Sequence, residues 1–368
     1  MNPAKPQSLT FTPPHCPNPN CQFHKVLSEK WSYRRRGSFT RKTKPYRVPR
    51  FSCLCCGRSF SSQTFSPTYW LKRPQLAAEV FKLSVGGMAN RQIGRAVACA
   101  PATVDNLLAR LGRHSLLFHR QLMQKVSPCR DIVIDGLVSF EHSQYFPFEH
   151  LLAVEKTTSF ILHFTDAPLR RSGRMTAYQR RKRAVLEAQY GRPDPEAVYR
   201  GMREVLEVSL QGAAQAIVRS DRHQAYPRAL RALDCTVTHR QISSRVRRDR
   251  QNELFEINSL EMFIRHSSAN HRRETIAFSK RRQGSAERLA VFLVWKNYVK
   301  FRFEKGCCET PGMLRGVVDR VLEVEDVLRV RLFPGLVSLP ARWEDYYWRR
   351  VQTAVLGVNR RHELKYAF

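Results

Sequence analysis

This 368-residue chain has no unbroken apolar stretch near the roughly 20 residues that a membrane-crossing helix needs. Its opening residues 1–14 are polar and proline-rich and lack the apolar core of a secretory signal, so a soluble, cytoplasmic protein is expected. Acidic residues are scarce: 31 Asp and Glu face 63 Lys and Arg, a formal charge of +32. Solubility does not require so large an excess, and a phosphate polymer is the natural counter-charge. Double-stranded DNA is therefore the expected partner, with association with the nucleoid. The length corresponds to two or three domains at roughly 100–200 residues each, and 42% hydrophobic residues suffice for their cores.

The 10 cysteines could suggest disulfides, but four of them form two knuckles, Cys16 with Cys21 and Cys53 with Cys56. Two such knuckles bracketing a spacer are the pattern of a tetrahedral zinc site, each thiolate pair gripping one side of the ion. Gly57 gives the second knuckle the backbone freedom to aim amide hydrogens at sulfur. Cys55 and His24 are near enough in sequence to replace a ligand. Cys99, Cys129, Cys235, Cys307 and Cys308 lack ligand spacing and are expected to pack as small apolar residues. Between the knuckles, Trp31, Tyr33 and Tyr46 alternate with Arg34 to Arg36, Arg41, Lys42, Lys44, Arg47 and Arg50. That surface suits a phosphate backbone, and equally suits a solvated hairpin whose aromatics cover a small core.

Residues 75–119 turn helical after a linker marked by Pro67 and Pro74. A short helix starting near Asn90, with Ile93 and Val97 inward, leads through the turn at Ala98 to Pro101 into a helix over 102–111 carrying Val104, Leu107 and Leu108. Two short helices joined by a tight turn form a helix-turn-helix, which places Thr103, Asn106 and Arg110 on the outer face as candidate major-groove contacts. A plain three-helix packing element has the same pattern.

From residue 131 the pattern becomes strand-like: 131–136, 151–155 and 160–164, then 216–219 and 236–240. Helices are expected at 194–214, 224–233 and 258–269. Asp135 ends the apolar run Ile132 to Ile134, and Asp221 follows Ala216 to Val218. Carboxylates at the ends of neighbouring buried strands can share divalent cations, and hard oxygen ligands select Mg²⁺ or Mn²⁺. Each aspartate, taken singly, is also an ordinary turn former. Arginine-rich runs at 170–183 and 240–250, including Arg180, Arg181, Arg183, Arg247 and Arg248, are candidate DNA clamps; the first also reads as a disordered basic loop.

Taken together, the chain resembles DDE-type transposases of bacterial insertion sequences. The likeness runs over residues 16–300 and is carried by Cys53-Leu-Cys-Cys-Gly-Arg-Ser-Phe60, Asp135-Gly136, Ser220-Asp221-Arg-His-Gln-Ala-Tyr226 and Asn270-His-Arg-Arg-Glu-Thr-Ile-Ala-Phe-Ser-Lys280. It implies an α/β chain: a zinc ribbon over 1–66, a helix-turn-helix domain over 67–127 and an RNase H-like mixed sheet flanked by helices over 128–300. A basic helical insertion at 168–215 interrupts the third part, and a C-terminal appendage follows at 301–368, expected to pack on the catalytic domain. The first and fourth strands of such a sheet are neighbours, which brings Asp135 and Asp221 together.

The implied activity is Mg²⁺-dependent cleavage and joining of DNA at an element's terminal repeats and at target DNA, by a homo-oligomer assembled on DNA. Glu256, Glu261 and Glu274 all follow the last strand as candidates for the third acid. Glu261 is the choice here, because a rigid helix can aim it at the aspartates. His239 is a candidate either to reach the scissile phosphate or to cap the sheet. An inactive zinc-containing DNA-binding regulator and a structure-specific nuclease are the competing functions.

Overall fold

The computed structural model describes residues 11–25, 31–124, 126–272, 275–306 and 308–353. Two compact units divide the chain, Met1–Ala78 with Glu325–Ser338, and Glu79–Val324 with Leu339–Phe368.

In the first unit, β1 (Tyr33–Thr40), β2 (Arg47–Cys53) and β3 (Ser59–Ser61) form an antiparallel sheet in that order. β1 is exposed along most of its length and β2 buries mainly its last residues, so aromatic rings make the core. Phe51 pairs with Phe60 across β2 and β3, and both pack with Phe65 and with Phe333 from the segment that returns late in the chain.

Helices α1 (Leu76–Val85), α2 (Asn90–Ala96) and α3 (Pro101–Met123) come next. Val104, Leu107, Leu108 and Leu111 are buried at helical spacing on α3. Asn90 does not cap α2 with its side chain; it is the first helical residue, and its amide donates to Asp105 at the start of α3. α3 extends well past the expected end near 111, because its second half packs along a later helix, α8, within the same unit. The approach is close enough that a Cβ at Gly112 would lie 2.5 Å from the Glu287 carbonyl oxygen.

The centre of the second unit is a mixed sheet of β4 (Asp131–Glu141), β5 (Phe146–Glu155), β6 (Ile161–Pro168), β7 (Gln215–Ser220) and β8 (Thr236–Gln241). Their order is β6-β5-β4-β7-β8, with β4 to β6 antiparallel and the β4–β7 and β7–β8 pairs parallel. That order and those directions are consistent with an RNase H-like fold. β4 and β5 form a longer hairpin than the apolar runs indicate, since ladder pairing continues through polar Ser139 and Glu141 to Phe146.

Helices α4 (Ala177–Tyr190) and α5 (Ala197–Ser209) join β6 to β7, and α6 (Ala225–Arg231) joins β7 to β8. After the sheet come α7 (Phe255–Ser267), α8 (Arg282–Val294), the short α9 (Pro311–Leu314) and α10 (Val324–Val327), and α11 (Ala341–Trp348). α7 starts three residues before the expected Asn258, because Asn252 nucleates it: its Oδ1 accepts from the Leu254 amide at 2.8 Å. The basic stretch 170–183 is ordered and runs into α4, which starts on a capping box in which Thr176 and Gln179 exchange side-chain and backbone hydrogen bonds. α11 packs on β6, where Trp343 Nε1 donates to the Phe164 carbonyl at 2.7 Å. Among the described residues no helix is long and apolar enough to cross a membrane.

Candidate acidic site, cysteine cluster and basic surfaces

Register places the two aspartates. On the parallel strands β4 and β7, Val133 pairs with Arg219. Continuing both chains by two residues brings Asp135 level with Asp221, just past the last ladder pair. Asp135 Oδ1 accepts from the Gly136 amide at 2.7 Å, and Asp221 Oδ1 from the His223 amide at 2.9 Å. Burial, with the Asp221 charge added to it, pushes the Asp135 carboxyl up to about 6.

A further acid, not singled out from the sequence, completes the cluster. Glu149 on β5 is 5% exposed, and its Oε1 has no hydrogen-bond partner. Its other oxygen lies against Gly136, in the space that a side chain there would fill. Burial, then the Asp135 and Asp221 charges, push the Glu149 carboxyl up to about 7. The available signal was a glutamate between Phe148 and, after His150, the apolar run Leu151 to Val154, in a strand whose middle residues are all buried.

Tyr226, at the start of α6, marks the middle of the group. Its hydroxyl is buried and lies 3.5 Å from the position of a Cβ at Gly136. Burial first, and then the charges of Asp135, Glu149, Asp221 and Glu261, raise its pKa well above the ordinary value. Glu261, in the second turn of α7, is near enough to add its charge to that group. Glu256, one turn earlier, is held by Lys156 at 2.5 Å, and Glu274 lies outside the described residues. His239 pairs through Nε2 with Ser220 Oγ at 2.9 Å, beside Asp221, and burial lowers its pKa.

Beside Asp221 opens a cavity of about 500 Å³, lined also by Arg222, His223 and Arg245. Arg248 is close enough to Asp135 to favour its charged form, and Arg247, 90% exposed, stands 3.7 Å from Asp249. A set of hard oxygen donors with cations at its rim, one donor buried without a partner, suits a divalent cation and a phosphate.

The carboxylates nonetheless stand apart. Among the described residues, Cys16, Cys21, Cys53 and Cys56 are the one group of three or more His, Cys, Asp or Glu whose ligand atoms all lie within 4.8 Å of one another. Cys16 and Cys56 sulfurs are 3.6 Å apart, and those of Cys21 and Cys53 are 4.0 Å apart. A tetrahedron with Zn–S bonds near 2.3 Å needs sulfurs about 3.8 Å apart, so the four fit a metal such as zinc. Turns hold them: the Gly57 amide donates to the Cys53 carbonyl and the Cys21 amide to the Asn18 carbonyl, both at 3.0 Å. The Cys53 thiol is brought down to about 6 by amide and Trp31 hydrogen bonds that outweigh its burial.

The alternatives to this set are otherwise placed. His24 turns Nδ1 to the Cys16 carbonyl at 2.8 Å and so orients a ligand residue. Cys55 is exposed, accepting from Gln22 at 3.6 Å.

Of the candidate DNA contacts, Thr103 and Asn106 are exposed on the first turns of α3, and Arg110 is half-buried one turn on. The α2–α3 turn is tight, with the Cys99 amide donating to the Gly94 carbonyl at 2.8 Å. Arg180 and Arg181 are exposed on α4, a helix with no buried residue. Arg183 is half-buried, 3.4 Å from Glu187, with Nη1 donating to the Arg171 carbonyl at 2.9 Å.

No family model matches the sequence, and no curated protein matches it. Similar solved structures include a simian T-cell lymphotropic virus intasome in complex with the PP2A regulatory subunit B56 gamma, at 11% identity over 65% of this chain and 74% of that one, TM-score 0.23. The catalytic domain of Mos1 mariner transposase is another, at 11% identity over 67% of this chain and 95% of that one, TM-score 0.23. Likenesses this distant leave the functional argument to the residues themselves.

Proposed function

We propose that this protein is a DDE-type DNA transposase of the bacterial insertion-sequence kind, cutting DNA at an element's ends and joining it to target DNA. The observation that carries the reading is the level placement of Asp135 and Asp221, within β4 and just past the adjacent parallel β7, with the charges of Glu149 and Glu261 acting on the same tyrosine, in a chain of charge +32. Asp135, Asp221 and Glu261 would hold Mg²⁺ or Mn²⁺. When bound, the ion supplies Lewis-acid polarisation of the phosphodiester and a more acidic water.

The protein's own part is positioning and charge neutralisation. Asp135 is fixed within β4, not at the strand's end as the apolar run alone suggests, and Asp221 just past the end of β7; Arg222, Arg245 and Arg248 meet the phosphate beside them. In cleavage, the water oxygen forms the new bond to phosphorus as the 3′-oxygen leaves. In joining, that 3′-hydroxyl attacks a target phosphodiester and the target's own 3′-oxygen leaves.

Within the same reading the four cysteines form a zinc ribbon. α2 and α3 form a helix-turn-helix presenting Thr103, Asn106 and Arg110 to duplex terminal repeats. Arg180, Arg181, Arg183 and Arg247 grip the backbone, and a homo-oligomer assembles on the DNA.

The test is nicking and joining of duplex DNA carrying candidate element ends, in Mg²⁺. Asp135→Ala, Asp221→Ala and Glu261→Ala are each expected to abolish cleavage while DNA binding persists. Cleavage that survives the two aspartate changes would sink the reading.

A further inference from the structure

We propose that a groove in the first compact unit binds single-stranded DNA, with one unpaired base stacked on the indole of Trp70. The groove encloses about 1140 Å³ and is bordered by β1, β2, β3 and residues 63–72. Its cations are Arg36, Arg41, Lys42, Arg50 and Lys72, and among the described residues that line it there is no carboxylate. Such a surface is complementary to a chain of phosphates.

Two of these cations maintain the groove. Arg41 donates to Gln63 Oε1 at 2.5 Å and to the Leu71 carbonyl at 3.2 Å, tying the 63–71 segment to the hairpin. Arg36 Nε donates to Ser52 Oγ at 3.2 Å. Lys42, Arg50 and Lys72 are left to face phosphate.

The aromatic residues decide which nucleic acid fits. Trp70 is 81% exposed, the edge-on ring of Tyr69 lies 5.7 Å from it, and Phe39 is 40% exposed on the same groove. The Trp70 backbone has φ +64°, a conformation L-residues rarely adopt, and the indole is held outward from it. A duplex keeps its base faces inside its own stack and offers only phosphates and base edges. An exposed indole gains nothing from these, whereas an unpaired base presents a π-face to it. The inference stands on this unit alone and goes beyond the strand-transfer reading, since it concerns where an unpaired strand is held.

The experiment uses the full chain without divalent cation. Fluorescence anisotropy of labelled oligo(dT), and of a duplex of equal length, gives affinity across a series of salt concentrations. Trp70→Ala is expected to weaken oligo(dT) binding about tenfold, to leave duplex binding within about twofold, and to leave the salt slope unchanged because no charge is lost. Trp70→Phe should restore most of the affinity. Lys42→Ala with Lys72→Ala should reduce the oligo(dT) salt slope by about 1.4, at about 0.7 per phosphate.

Unchanged oligo(dT) affinity in Trp70→Ala overturns the proposal. So do equal losses on oligo(dT) and duplex, which would make the groove a duplex surface. Because the exposed indole leaves no core cavity when removed, a circular-dichroism match to wild type is expected. Binding measured without divalent cation is also independent of whether the acidic site cleaves DNA.

Discussion

The Glu149 carboxylate occupies the space above Gly136 that any other residue's side chain would need, so the glycine next to Asp135 is what admits a second buried acid to the cluster. Gly136→Ala should cost about 1–3 kcal/mol by overpacking and lower Mn²⁺ affinity as the carboxylate is displaced. In a Glu149→Ala background the same change finds room, and a double-mutant cycle by urea unfolding should return most of the cost.

Proton binding at this cluster sets a pH dependence of opposite sign to that of an ordinary ion pair. Glu149 at about 7 and Asp135 at about 6 bind protons more tightly folded than unfolded. Between about pH 4 and 7 the native state therefore carries the extra protons, and stability falls as pH rises through that window. For Glu149 the full effect is on the order of 3 kcal/mol. Glu149→Gln should flatten the profile. Mn²⁺, which competes with those protons, should raise the melting temperature more at pH 8 than at pH 5; an equal rise at both would count against a metal on these acids.

The third acid is separable by mutation. Glu256 is committed to Lys156 in a mostly buried pair, so Glu256→Gln should cost about 1–3 kcal/mol and leave nicking intact, whereas Glu261→Gln should remove nicking. The reverse pattern in a cleavage assay would move the ligand.

Zinc removal should unfold the small sheet unit. A chelator, or Cys16→Ala, is expected to abolish binding of about one zinc per chain and to broaden the amide signals of residues 31–65, because the aromatic core there is small. Retention of zinc by Cys16→Ala but not by His24→Ala would reassign the set.

On the far edge of the sheet, the fully buried Asp166 receives Arg342 at 2.7 and 2.9 Å, Arg282 at 3.0 Å and the Tyr346 hydroxyl at 2.5 Å. Arg342→Ala should cost about 3–5 kcal/mol, read by denaturant unfolding, because it takes two charge-assisted hydrogen bonds from a buried carboxylate and leaves only Arg282 and Tyr346 to hold it. Hydrogen bonds and charge from the arginines hold the Asp166 pKa below its ordinary value despite burial. Its contribution is present above about pH 4 and is lost as pH falls through the folded value.

Local pattern determined a good deal by itself. Apolar runs ending in Asp135 and Asp221 name strands and carboxylates together, because strand period and burial are written in consecutive residues. The order of strands and helices, matched to that of an RNase H-like sheet, implies that β4 and β7 are neighbours. The cysteine spacing likewise foretold which four sulfurs converge, since short turns fix the geometry of each pair.

Other features depend on partners distant in sequence, and only the tertiary structure decided them. Glu149 reads as an ordinary strand residue until β5 folds back on β4 and lays it over Gly136. Glu256 and Glu261 differ in their surroundings, Glu256 meeting a lysine 100 residues away and Glu261 adding its charge to the group around Tyr226. The length of α3 was set by α8, and the destination of the C-terminal aromatics by the edge of β6. Charge and periodicity are properties of the chain, but a carboxylate's protonation and its choice of partner belong to the space it is folded into.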